Sequence, residues 1–145
     1  MKASEVMAAV KYAVEHVTPD VSVIDEPAFV VISRAVVNEA PPPRSVLVSL
    51  SAAPEPRQLA RRLMAMGVTV SVLYSSGDAG SGTDLDGAIA DDGVLLLRAL
   101  EALKATGAAA ELGDVAEVSV RVDGPLLFDG GLAIDLVATI KFAEG

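Results

Sequence analysis

The C-terminal stretch alternates apolar and polar side chains with a period of two, and this constrains the fold more than anything upstream. Val118, Val120 and Val122 share one face of the first run and Glu117, Ser119 and Arg121 the other. In the second run Leu132, Ile134, Leu136, Ala138, Ile140 and Phe142 oppose Asp135, Thr139 and Lys141. Successive strand side chains point to opposite faces, so the two runs predict an antiparallel pair with one buried side and one wetted side. Asp123-Gly124 and Asp129-Gly130-Gly131 are turn-forming sequences that join them.

Upstream, residues 3–17 read as an amphipathic helix. Val6, Val10, Ala13, Val14 and Val17 form its apolar stripe, Ser4 is the candidate N-cap, and Lys2, Glu5, Lys11, Glu15 and His16 fall on the other side. Residues 21–24 and 29–37 are rich in β-branched side chains and read as strands interrupted at Pro27. Residues 38–44, with Pro41, Pro42 and Pro43 in succession, fit neither a helix interior nor a central strand and read as an extended loop or hairpin tip. Residues 46–50 alternate again as a strand.

Residues 56–74 admit two readings. Pro56 at the start and Gly67 at the end frame a short helix over residues 57–66 that feeds a strand from Val68 to Tyr74. A period of two works as well, with Met64, Met66, Val68, Val70, Val72 and Tyr74 on one face of a single long strand. Residues 75–90 read as a loop from their glycine, serine and aspartate content, and a loop that long in a compact domain points to a working surface. Asp91 or Asp92 caps a second helix running to about Ala105, so apolar that it must be covered on most sides. The layout is α+β: one domain over residues 1–145, a single antiparallel β-sheet of four to five strands, and two α-helices packed on one face.

Composition narrows the chemistry. There is no cysteine and a single histidine, His16, so thiolate metal sites and the usual histidine-rich zinc and iron sets cannot be assembled. A net charge of −9 repels phosphate backbones, and five aromatic residues leave little for stacking bases, so specific nucleic-acid binding is not expected. No apolar run approaches the roughly 20 residues that span a bilayer, and the N-terminus lacks a signal-peptide pattern, so the expected site of synthesis is the cytoplasm, with no membrane partner.

The short motifs do not assemble a catalytic or cofactor site. Gly77-Asp78-Ala79-Gly80-Ser81-Gly82 follows a strand but lacks the Lys-Ser/Thr of a phosphate loop, and Asp78 would repel the anion. Asp84, Asp86 and Gly87 hint at a calcium loop, yet alignment on Gly87 leaves Gly82 and Gly93 at the first and last ligand positions. The serines have no partnered histidine, and the adjacent carboxylates Asp25/Glu26 and Asp91/Asp92 read as solvated or capping groups. Arg57, Arg61 and Arg62, with Arg44 nearby, form the basic cluster; a solvated face is the plain reading, and docking to an acidic partner surface is the functional one. The chain is expected not to be an enzyme and to need no cofactor.

The opening Met1-Lys2-Ala3-Ser4-Glu5-Val6-Met7-Ala8-Ala9-Val10-Lys11-Tyr12-Ala13-Val14-Glu15, the strand from Val68 to Tyr74 ahead of a helix, and the close on Ala138-Thr139-Ile140-Lys141-Phe142 together resemble the tail terminator proteins of long-tailed bacteriophages, the lambda-type tail completion family. The resemblance runs through the element order of nearly the whole chain. It implies a virion structural protein, made in the host cytoplasm, that forms a hexameric ring at the head-proximal end of the tail. Such a ring stops polymerisation of the tail tube protein and offers a surface to the neck or head-completion proteins, while DNA passes through its lumen without specific binding. It also favours the long-strand reading of residues 57–74. The proline run and the glycine-rich residues 75–90 are departures from the family. The candidate interface loops are then Pro41, Pro42, Pro43, Arg44, Arg57, Arg61, Arg62, Gly77, Asp78, Gly80, Gly82, Asp84, Asp86 and Asp129. The acidity further suggests that several of Asp78, Asp84, Asp86, Asp123 and Asp129 line the opening. Two alternatives stay open: another neck or head-completion connector, and a small cytosolic ligand-binding α+β domain.

Overall fold

A computed structural model describes residues 2–19, 29–32, 44–58, 63–75, 85–104, 115–128 and 131–143. The chain runs α1 (Ala3–Glu15), β1 (Val30–Ile32), β2 (Ser45–Gln58), β3 (Leu63–Ser75), α2 (Leu85–Glu101), a 3-10 turn (Ala102–Lys104), β4 (Val115–Phe128) and β5 (Gly131–Ala143). Five strands form one sheet in the order β1-β2-β3-β5-β4. Every pair is antiparallel except β1 with β2, so the sheet is mixed where a purely antiparallel one was expected.

The C-terminal alternation has the consequence the sequence implied. Val118, Val120 and Val122 stand directly opposite Ile140, Ala138 and Leu136. On the other side of β5, Ile140, Ala138, Leu136 and Ile134 face Met66, Val68, Val70 and Val72 of β3, and Val70 and Val72 face Val48 and Val46 of β2. Paired residues share a face, so these side chains make one continuous apolar surface, on which both helices lie. From α1 it receives Val6, Val10 and Val14, one turn apart. From α2 it receives Ile89, Leu96 and Leu100. The other face of the sheet carries Ser49, Thr69, Ser71, Asp135, Thr139, Lys141, Glu117 and Arg121, the wetted side of the same alternation.

The described part of residues 57–66 is strand and not helix: β2 extends to Gln58 and β3 starts at Leu63. Met64 and Met66 pair with Phe142 and Ile140, so the segment gains a buried stripe as strand, and that burial outweighs local helix propensity. The second helix begins at Leu85, inside the stretch read as loop, which places Asp91 and Asp92 in its body and not at its cap. Asp123-Gly124 is likewise not a turn but a register break within β4, between Asp123 and Leu126, where Gly124 adopts φ +116°, a left-handed value that suits glycine. At the start of α1 the N-cap is Lys2, one position before the helix, and its amide donates to Glu5 Oε2 at 3.3 Å, so Ser4 sits within the first turn. The strand read at residues 21–24 lies outside the described residues, as do residues 33–37.

The crowding around one glycine decides a fold contact. Gly67 of β3 faces Ala52 across a register break in β2, and a Cβ there would stand 2.8 Å from Ala52 Cβ and 3.0 Å from its backbone nitrogen. Substitution Gly67→Ala is expected to destabilise the protein by about 1–3 kcal/mol, the usual cost of forcing atoms into a filled site. Urea denaturation monitored by circular dichroism checks it, and an unchanged midpoint would contradict the packing.

Candidate functional site

A single carboxylate organises the interior. Asp92 lies three residues after Ile89 and four before Leu96, on the buried stripe of α2. A lone charge there must be paired, because desolvating it unpaired is prohibitive. Its partner is Arg44, the residue before β2: Nε donates to Asp92 Oδ2 at 2.9 Å and one terminal nitrogen donates to Oδ1 at 3.0 Å. The hydroxyl of Tyr74, near the end of β3, donates to Oδ2 at 2.7 Å. Arg44 and Asp92 are each 1% exposed. The guanidinium carbon lies 5.8 Å from the centre of the Phe29 ring. The main chain of Arg44 is also engaged, its N–H donating to Leu73 O and its carbonyl accepting from Val30 N, which holds it at φ 58°.

This network corrects two expectations. Arg44 is a buried strut and not part of a basic docking surface, and Asp92 is neither solvated nor a cap. The signal was present in Asp92, a carboxylate on the otherwise apolar stripe of a helix. Both oxygens of that carboxylate accept hydrogen bonds from Arg44 and Tyr74 inside the protein, so the group ties α2 to the starts and ends of the neighbouring strands.

The sheet margins are the second feature. β1 pairs only with Ser45, Val46 and Leu47, so from Val48 onward the outer margin of β2 has no strand beside it among the described residues. Pro54 and Pro56, which lack an N–H, limit usable pairing on that margin to about residues 48–53, within which one of the three register breaks of β2 falls between Leu50 and Ala52. At the opposite side of the sheet β4 is the terminal strand among the described residues. Pro125 and the break after Asp123 limit its free margin to residues 115–123.

The third feature is a groove of about 500 Å³ between α2 and the β4–β5 pair. Ile89, Ala90, Gly93, Val94 and Leu97 line it from the helix, Val122, Gly124 and Pro125 from β4, and Ile134 from β5, with Asp86 in the first turn of α2 its one ionisable lining residue. The small residues Ala90, Gly93 and Gly124 leave the space open. Val94 and Val122 are 47% and 45% exposed at its mouth.

Of the interface residues expected from sequence, Arg57 lies near the end of β2 and Asp86 is exposed on α2. Pro41, Pro42, Pro43, Arg61, Arg62, Gly77, Asp78, Gly80, Gly82, Asp84 and Asp129 lie outside the described residues. His16 is exposed, with Nδ1 2.8 Å from Tyr12 O and its ring stacked on Tyr12. Among the described residues no helix is long and apolar enough to cross a membrane, and no group of three histidines or carboxylates is placed to hold a metal ion. On the wetted face Lys141 pairs with Glu117 at 3.0 Å, Arg121 with Asp123 at 3.2 Å, and Ser71 donates to Asp135 at 2.7 Å. No family model matches the chain, and no curated protein matches its sequence.

Two sets of variants test this arrangement. Asp92→Asn removes the charge opposite a buried guanidinium and is expected to cost about 3–5 kcal/mol, whereas Tyr74→Phe, which deletes one hydrogen bond to a charged group, is expected to cost about 1.5–3 kcal/mol. Gly93→Ala should go the other way: its Cβ would meet only Ile134 Cδ1 at 3.6 Å, an ordinary contact, and alanine is about 0.5–1 kcal/mol better in a helix interior. Denaturant midpoints of the three variants read out the signs and their order.

Proposed function

We propose that the chain is a virion structural protein that forms a ring at the head-proximal end of a phage tail, ends tube polymerisation and joins tail to neck. One observation carries the reading: a single sheet that, among the described residues, has no strand beside residues 48–53 of β2 or beside residues 115–123 of β4 on the opposite side. A head-to-tail contact needs two different complementary surfaces on each copy, and it closes into a ring when the rotation between copies allows. Free strand margins supply such surfaces, because each exposes backbone donors and acceptors in register for another strand. The resemblance of the terminal segments and the element order to the lambda-type tail terminators points the same way.

A ring built from these margins turns one sheet face toward its axis. The wetted face suits that position. Among the described side chains on it, the cations Arg121 and Lys141 are each paired with a carboxylate, which leaves less positive charge to hold phosphates. Asp123 belongs to this face and Asp86 to the helix side, so of these two only Asp123 fits a lumen wall. The α2–β4 groove brings few polar groups together, which makes the small-ligand alternative weaker.

Particles assembled with and without the chain separate the readings. Without it, tail tubes are expected to overgrow their normal length in electron micrographs, and added purified chain should restore the length. Tails of normal length that fail to join heads would identify a neck connector instead, and normal infectious particles would overturn both.

A further inference from the structure

We infer that the α2–β4 groove receives Leu127 from a second copy of the chain, in a two-fold contact where each copy fills the other's groove. Leu127 pairs with Leu132, whose packing against the core places both side chains on the helix-bearing side of the sheet. It is 86% exposed, the most exposed large apolar residue among those described. The groove opens to the same side: its floor residue Ile134 is two positions from Leu132 along β5, one row of that face, or roughly 7 Å. Strand pairing holds Leu127 in its own row, so it does not fill the groove of its own chain.

A protrusion and a recess side by side on one surface are complementary to themselves. A two-fold axis in the plane of contact, across the strands and between Leu127 and the groove, carries each Leu127 onto the other copy's groove and makes every contact twice. The lining suits a leucine, since apart from Asp86 it offers only apolar side chains and glycine, with half-exposed Val94 and Val122 at the mouth. Gly93 keeps the depth: alanine would fit there and would favour the helix, but it would narrow the space. Leu126, next in sequence and 48% exposed, pairs with Ala133 and points to the other face of the sheet, so it takes no part. The two-fold brings Asp86 of both copies to the one contact, and each chain carries a net charge of −9, so association works against repulsion and tightens as salt screens it. The contact needs no strand pairing and does not depend on the ring reading.

Light scattering on the purified full chain over a range of concentrations tests the contact, with circular dichroism to show that each variant folds. Wild type is expected to pass from monomer to dimer as concentration rises, and to do so more readily with added salt. Leu127→Asp and Val94→Asp should each weaken the association at least about tenfold, the usual worth of burying one leucine-sized side chain. Leu126→Asp should leave it unchanged. Val122→Asp replaces Val94→Asp if the latter loses the wild-type spectrum. A mixture of Leu127→Asp chain with Val94→Asp chain regains one intact leucine–groove contact, so it should dimerise more tightly than either variant alone. Wild type that is monomeric at every concentration, association weakened by salt, equal effects of Leu126→Asp and Leu127→Asp, or a mixture no tighter than its components overturns the inference. Monomeric wild type whose binding to tail tubes is lost in Val94→Asp assigns the groove to the tube protein and overturns it as well.

Discussion

The buried pair of Arg44 and Asp92 is the constraint on which the remaining architecture depends. Through one carboxylate it ties the body of α2 to the entry of β2 and the exit of β3, and through the main chain of Arg44 it ties in β1. Ion pairs of this kind contribute little net stability relative to a well-packed apolar core, because both charges lose their hydration. What they supply here is a link between helix position and charge: Asp92 shares a helix face with Leu96, so burying that leucine carries the carboxylate inward to Arg44 and Tyr74. The left-handed backbone at Arg44, unfavourable by about 1–2 kcal/mol for a residue with a Cβ, is held by the same contacts.

With α2 fixed, the distribution of apolar surface follows. The two helices cover the middle of the sheet and leave its corners open, so Leu50 at one margin and Val94 and Val122 at the other remain partly exposed in a protein whose central valines are fully buried. The sheet is therefore finished in its interior and unfinished at its sides. Its wetted face is the reverse case, where each cation already has a carboxylate and exposed pairs of this sort contribute only about 0–1 kcal/mol to stability.

The sheet was legible in the sequence wherever one face was dry and the other wet, because a period of two then has one physical cause. That is why residues 68–74, 117–122 and 132–142 and their shared face could be read directly, and why α1 could be read from valines spaced one turn apart. The second helix was placed too late because Asp91 and Asp92 imitate a cap, and only the arrival of Arg44 and Tyr74 from distant parts of the chain makes an aspartate tolerable in mid-helix. The ambiguity at residues 57–66 had the same origin: local propensity and long-range burial disagreed, and the pairing of Met66 with Ile140 decided it. The candidate site was the least legible part. A groove and two strand margins are made of backbone and of missing side chains, such as those of Gly93 and Gly124, which leave no motif to find.

In the ring proposed above, the prolines that interrupt the two sheet margins act as end stops. Backbone hydrogen bonding alone would let two strands slide past each other in steps of two residues without changing which face is dry. Pro54 closes one track and Pro125 the other, so a neighbour seated between them has a limited choice of axial offset. Copies related by zero rise return to their starting point, whereas any fixed rise winds them into an open spiral. In the proposed ring, two residues that forbid pairing would thus favour a flat, finite object.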